Sequence, residues 1–375
     1  MGEDGYFDYA ATVPPYPEAL KRFEELSLRA FGNPSSSHDD GRQAREALDG
    51  ARKGFLARVG FADGSLVLTS GATEANNLAL RSALEASSDG RLLLASDAHP
   101  SAWFTRETWP KRTDLIKTGT DGLISPDWLA TLLSKKTAMV SIVHANNETG
   151  VVQDLKALGA VCEKAGVPLH VDGVQALGRL PLTLSELPFA YYTFSAHKFG
   201  GSRGVGGIIA RREGLSAQIR GGGQEKGLRG GTENVAGLAA ALVALDLSAR
   251  SLEAEVPRLR KLAALLTGEI QAAIPDVLVN SRPEGVPGLV SFSFPNLIGE
   301  EIVVEMNLRG FAISAGSACG SGRMEPSRPV MAMGRTRAQA LGTVRISMGR
   351  FTTEDAVRRL AAALRQVVEK QKALA

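Results

Sequence analysis

Between residues 64 and 210, short apolar runs alternate with amphipathic stretches, and this alternation constrains the fold more tightly than anything else in the chain. Residues 66–69, 92–95, 138–143 and 169–171 read as strands, each running into a polar segment that carries Gly, Asn, Asp or His. Strands separated by helical segments pack as an α/β layer on a mostly parallel sheet flanked by helices. In such a sheet, ligands collect at the carboxyl ends of the strands.

A second module follows. Residues 252–274 read as one long helix, with Val256, Leu259, Leu262, Ala263, Leu266 and Ile270 on one stripe. Residues 288–294 and 344–347 alternate as strands, a loop of small residues around Cys319 lies between them, and a closing helix begins near Thr353. A chain of 375 residues exceeds the size at which one core stops growing. We therefore expect a large domain over 14–251 and a smaller α+β domain made of 1–13 and 252–375. No internal repeat is visible.

The 43 basic and 40 acidic residues are spread evenly, giving a formal charge of +3. That leaves no basic stripe for nucleic acid and no polybasic membrane patch. The acidic start, the lack of an apolar leader and the absence of any stretch read as long enough to span a bilayer predict a cytoplasmic protein with a small-molecule substrate. Cys162 and Cys319 are the two cysteines, too few for a disulfide framework. Cys162 falls on the helical spacing of Leu155, Leu158 and Val161, which predicts a buried core residue. Cys319 sits among Ser, Ala and Gly, the setting of an accessible, reactive thiol on a mobile loop.

The chemistry centres on Thr193-Phe194-Ser195-Ala196-His197-Lys198-Phe199-Gly200-Gly201, preceded by His170-Val171-Asp172-Gly173-Val174-Gln175. A lysine just beyond one strand and an aspartate at the end of another suit pyridoxal 5'-phosphate. That cofactor needs an amine to hold its aldehyde and an anion facing its ring nitrogen. Ser195 and His197 add hydrogen-bond donors beside the lysine, and Gly200-Gly201 permits a tight turn after it.

Ser70-Gly71-Ala72-Thr73-Glu74 reads as a glycine turn opening a helix, with Ser70 or Thr73 as the capping hydroxyl and backbone amides free for a phosphate. The glycine-rich stretch 221–234 lacks the setting of a dinucleotide fingerprint and reads as a surface loop. His99 follows a strand, where its ring can cover a cofactor or move a proton. His38, His144 and His170 share no ligand spacing, so no metal is expected.

These motifs, together with residues 7–12, 32–36, Asn146-Asn147-Glu148-Thr149-Gly150, 229–234, 316–319 and Gly349-Arg350-Phe351-Thr352, resemble those of cysteine desulfurases. Those enzymes belong to the class V aminotransferase-like, fold type I pyridoxal phosphate enzymes, and the resemblance covers nearly the whole chain. It implies that Lys198 forms the internal aldimine, Asp172 pairs with the pyridinium, Gln175 bonds the ring hydroxyl and His99 stacks on the ring. Gly71, Ala72, Thr73, Ser195 and His197 would hold the phosphate, joined by Thr232 from the partner subunit of a homodimer. Asn147 and Arg350 would bind the substrate carboxylate.

The implied reaction converts L-cysteine to L-alanine through quinonoid and ketimine states. Sulfur passes to Cys319 as a persulfide for delivery to an acceptor, such as an iron–sulfur scaffold protein. Val13, Ala98 and Gly320 depart from the usual pattern, and Arg323, close in sequence to Cys319, reads as a solvated arginine, with a lowering of the Cys319 pKa as the alternative. Met324-Glu325-Pro326-Ser327 resembles the long-loop branch of the family. The alternatives are a selenocysteine lyase, a transaminase or another β-eliminating enzyme of the same fold, or a noncatalytic sulfur-carrier partner.

Overall fold

The computed structural model describes residues 3–316 and 325–374. Its main sheet comprises β1 (Ser65–Thr69), β2 (Arg91–Ala95), β3 (Thr113–Ile116), β4 (Thr137–Val143), β5 (Leu169–Asp172), β6 (Tyr191–Ser195) and β7 (Gly206–Ala210). The strand order is β1-β7-β6-β5-β4-β2-β3. Strands β3, β2, β4, β5 and β6 run parallel, and β7 is antiparallel to both of its neighbours. Helices cover both faces, so β6 and β7 are buried along their whole length. A doubly covered strand reads as a continuous apolar run. This is why β2 and β4 stand out in the sequence, while the short β3, with Thr113 and Asp114, does not.

The helix expected over 252–274 is longer than that: it runs unbroken from Val235 to Ala273. Its first half, Val-Ala-Gly-Leu-Ala-Ala-Ala-Leu, has small apolar residues on every side and so shows no stripe. Val235, Leu238, Ala241 and Leu245 pack into the core beneath the large sheet, whereas Leu262, Leu266 and Ile270 enter a second core. This helix is long and apolar enough to cross a membrane by length and composition only, a stretch the sequence reading did not expect. Over half of its most apolar window is buried within the protein. Its apolar surface is therefore spent on the cores.

The second core lies against a smaller antiparallel sheet of β8 (Leu278–Val279), β9 (Leu289–Ser293), β10 (Ser314–Ala315) and β11 (Thr343–Ser347), in the order β10-β11-β9-β8. The closing helix Glu354–Leu374 buries Val357, Leu360, Leu364 and Val368 against it. Each such side chain contributes about 1.5–3 kcal/mol. The N-terminal segment is stitched to this sheet by bridges from Tyr6 to Ala312 and from Asp8 to Ser347. Residues 10 and 11 are thereby carried across to the carboxyl edge of the large sheet.

Candidate active site

A cavity of about 1230 Å³ opens where the carboxyl ends of β4, β5 and β6 face the inner edge of the small sheet. Gly71, Ala72, Thr73, His99, Asn147, Asp172, Gln175, Ser195, His197 and Lys198 all line it. The fold thus gathers into one space residues chosen from five separate sequence segments. Cys319 and Arg323 lie outside the described residues. Gly316 and Glu325, the described residues on either side of that segment, both line the cavity.

Lys198 follows β6 in a single 3-10 turn, and Gly200 then adopts φ 88°, a conformation that disfavours any side chain. The Lys198 Nζ donates to the carbonyls of Ala10 and Ala11 at 2.8 Å each. Burial, with Arg345 and Arg179 nearby, pushes its ammonium down to about 7, against weaker support from Asp8 and Asp172. A large share of the amine is therefore neutral, and so nucleophilic, near pH 7.

Asp172 ends β5 and is 5% exposed. Its carboxylate accepts from Asn76 Nδ2 at 2.8 Å and from the Val174 amide at 3.2 Å. Gln175 donates to the Ala10 carbonyl at 2.7 Å and accepts from Arg179.

The helix Ala72–Glu85 begins at Gly71 without any side-chain cap, so neither Ser70 nor Thr73 plays the expected capping role. Glu74 accounts for the difference: its carboxylate accepts from the Ser70 amide at 2.8 Å, from the Ser70 hydroxyl at 2.6 Å and from Arg229 Nε at 2.8 Å. Ser70 is thus turned away from the helix start. The first-turn amides keep their positive end open toward the cavity. Ser195 flanks this cradle; a Cβ placed on Gly71 would stand 3.7 Å from its hydroxyl. β7 also presses close, since a Cβ on Gly206 would come within 2.5 Å of the Gly71 Cα. His197 faces the Thr12 hydroxyl at 3.2 Å, and burial holds its pKa down to about 4, leaving it neutral.

His99 is the N-cap of the helix Pro100–Thr108, its Nδ1 lying 3.1 Å from the Ser101 amide and 2.8 Å from the Ser101 hydroxyl. Burial lowers its pKa. Cys162 is 1% exposed in the large core, and burial pushes its thiol up to about 12, an inert structural cysteine.

Two selected residues stand away from the cavity wall. Arg350 stacks on Tyr16 and Phe351, with ring centroids 4.2 and 4.5 Å away, and donates to the carbonyls of Pro14 and Pro15 at 2.8 and 3.0 Å. Thr232 is exposed. The glycine-rich stretch that carries it is firmly anchored: Glu225, 7% exposed, accepts from Arg52 at 2.8 and 2.9 Å and from the Leu68 amide at 2.8 Å.

Sequence reading missed Arg345, Glu148 and Asn76. Arg345 lines the cavity, donating to Asp8 at 2.7 Å and to the Asn147 carbonyl at 2.9 Å. A signal was present: Val344 and Ile346 of β11 both enter the second core, so the residue between them must face the other way. Glu148 accepts from Ser327 at 2.6 Å, and burial raises its pKa to about 7. Asn76 is polar yet fully buried beneath Asp172. Its only sequence signal is its place one turn after the glycine.

The family described as Aminotransferase class-V matches residues 5–360. The chain belongs to this family. It is 33% identical, over 99% of its length and 96% of theirs, to a protein named cysteine desulfurase IscS from Dictyoglomus turgidum (strain DSM 6724 / Z-1310). It is 38% identical, over 94% of its length and 89% of theirs, to one of the same name from Serratia proteamaculans (strain 568). Among solved structures, a NifS-like protein from Rickettsia africae ESF-5 superposes with a TM-score of 0.88 at 26% identity, covering 97% of this chain and 99% of that one. The fold is that of the fold type I pyridoxal phosphate enzymes.

The family's cofactor is pyridoxal phosphate, and the residues present fit it. A dianionic phosphate suits the uncapped helix start with Ser195 beside it. A buried carboxylate suits a protonated ring nitrogen, and a lysine with a depressed pKa suits an aldehyde.

Proposed function

We propose that this protein is a cysteine desulfurase that converts L-cysteine to L-alanine and takes the sulfur onto Cys319. The observation that carries this reading is the single cavity shared by Lys198, Asp172 and the open helix start, walled by Gly316 and Glu325 on either side of the Cys319 segment. The relatives named as cysteine desulfurases, similar over nearly the full chain, support it.

When bound, the cofactor supplies an electron sink for the pair left at the substrate α-carbon. The chain's own groups do the rest. Thr73, Ser195, His197 and the first-turn amides hold the phosphate, with Thr232 of a second copy completing the site in a homodimer. Asp172 would hold the ring nitrogen's proton by charge, with Gln175 and His99 as the further side chains available to the cofactor ring. Asn147 and Arg350 hold the substrate carboxylate, which requires Arg350 to swing from its rest on Tyr16. The neutral Lys198 amine takes the α-proton.

The Cys319 thiolate then attacks the substrate sulfur, so that an S–S bond forms as the carbon–sulfur bond breaks. The electron pair stays with the carbon skeleton, and protonation there completes alanine. A protein of the cytoplasm would pass this persulfide sulfur to an acceptor such as an iron–sulfur scaffold. In this reading residues 14–251 form the cofactor domain, and residues 1–13 with 252–375 form the domain that brings Cys319 to it.

The test is alanine formation from L-cysteine by cofactor-loaded protein with a thiol reductant, beside Cys319→Ala. Alanine that depends on Cys319 is expected. Full turnover without Cys319 would overturn the persulfide step and favour a lyase or transaminase.

A further inference from the structure

The cavity histidine and the buried aspartate are the two ends of one chain of hydrogen bonds. Asn76, 0% exposed, sits at its centre. Its Nδ2 lies 2.8 Å from Asp172 Oδ2 and 2.8 Å from Ser101 Oγ. Its Oδ1 lies 3.1 Å from His170 Nε2 and 2.6 Å from Thr193 Oγ1. His170 Nδ1 is 2.9 Å from Ser141 Oγ. At the cavity end, Ser101 presents both its hydroxyl and its backbone N–H to His99 Nδ1, at 2.8 and 3.1 Å.

The protons along this chain follow from what each group can offer. A carboxylate only accepts, so the Asn76 amide must turn its NH2 toward Asp172, and its two donors are then used on Asp172 and Ser101. Its carbonyl consequently faces His170 and Thr193, both of which must donate. His170 therefore carries its proton on Nε2 and accepts from Ser141 on Nδ1. The Ser101 hydroxyl, already accepting from Asn76, has its own proton free for His99. Two donors converge on His99 Nδ1, and a backbone N–H cannot reverse its role.

We propose that Asn76 and Ser101 are positioning residues that lock His99 as the Nε2–H tautomer, so that its ring meets the cavity as a donor and not as a base. The Asp172 carboxylate sets the orientation of the Asn76 amide and so frees the Ser101 hydroxyl to donate to His99, while the Ser101 backbone N–H independently holds Nδ1 as an acceptor. The surroundings of His99 as a whole keep it neutral. Burial is the main force against an imidazolium; Asp172 favours one, and the weaker fields of Lys198 and Arg328 disfavour it. The consequence for catalysis, which rests on the desulfurase reading, is a division of labour. Lys198 is the base for the α-proton, and His99 offers a hydrogen bond to an electron-rich atom of the substrate or cofactor.

The experiment is nitrogen NMR on cofactor-loaded protein labelled with ¹⁵N-histidine, in which only five histidines contribute. The His99 signals are assigned by their loss in His99→Gln. At pH 7 the parent should show His99 neutral, with Nδ1 unprotonated and Nε2 protonated. Ser101→Ala should raise the His99 titration midpoint, and Ser101→Thr, which keeps the hydroxyl, should restore it. Asn76→Ala should disturb His99 and His170 together.

An Nδ1–H or doubly protonated His99 in the parent would overturn the proposal without any variant having to fold. So would His99 signals left unchanged by both Ser101→Ala and Asn76→Ala. The tautomer is read without turnover, so its failure and the failure of the substrate assignment are separate results.

Discussion

If the Lys198 amine is held near neutrality by burial, the cofactor-free protein must carry that cost in its stability. The ordinary lysine value is 10.5, and the folded one is about 7. Between these values the unfolded chain binds a proton that the folded chain has released, so stability rises with pH. Below about pH 7 the folded state must charge the amine as well, and the full penalty applies. Above 10.5 neither state is charged, and the penalty disappears.

Each pKa unit corresponds to about 1.4 kcal/mol, so Lys198 should add a rise of about 2 kcal/mol to stability between pH 7 and pH 9. This is an upper bound, because the amine keeps an opening to the cavity. The control is Lys198→Met, which retains the stem and removes the charge. Urea unfolding of both cofactor-free proteins at pH 7, 8 and 9 isolates the lysine, since every other titration cancels in the difference. Lys198→Met should be the more stable protein at pH 7, and its advantage should shrink as pH rises. Parallel pH profiles would refute the claim that burial depresses this amine, and with it the account of why Lys198 is nucleophilic at neutral pH.

Glu225→Ala should destabilise the protein by about 3 kcal/mol by leaving the Arg52 charge and the Leu68 amide without their shared partner, and Arg52→Ala should cost less in that background than in the parent; a double-mutant cycle in urea checks both. Gly206→Ala should cost about 1–3 kcal/mol and weaken cofactor retention, because the new methyl meets the Gly71 and Phe194 backbones, which cannot move independently. Visible absorbance after gel filtration reads the second effect. Asp172→Asn should lower alanine formation by about 10²–10³-fold, the size expected for one preorganised charge at a reacting centre, with Cys319 reactivity toward a thiol reagent unchanged.

Strands β1, β2, β4 and β5 were legible because they are largely buried and continuous apolar runs announce themselves, whereas the short β3 was not. The site was legible for the same reason, since polar residues just past such strands have nowhere to go but the carboxyl edge. Asp172, His99 and Lys198, read from the sequence in this way, all line the one cavity. Ser70 was misread because a hydroxyl beside a helix start usually caps it, and no local pattern reveals that Glu74 will claim it, with Arg229 reaching in from the anchored loop. The first half of the helix Val235–Ala273 was missed because small apolar residues on nearly every side of its opening turns leave no stripe to detect.

Asn76 shows a deeper limit on what residue-by-residue reading can find. Periodicity detects faces, and Asn76 lies on a buried face where an apolar residue would be expected; it is tolerated only because Asp172, Ser101, Thr193 and His170 satisfy all four of its hydrogen bonds. Those partners come from β5, β6 and a separate helix, so the reason for the asparagine exists only in the assembled fold. A buried amide with every donor and acceptor used has one orientation, and that orientation leaves the Ser101 hydroxyl free to join its backbone N–H at His99. The network that costs the core an apolar residue is therefore also the one that gives the site a defined proton inventory. Because Asp172 fixes the Asn76 amide, a change that neutralises the aspartate should loosen the Ser101 hydroxyl's hold on His99 as well as the site's hold on the cofactor, while the Ser101 backbone N–H keeps Nδ1 an acceptor.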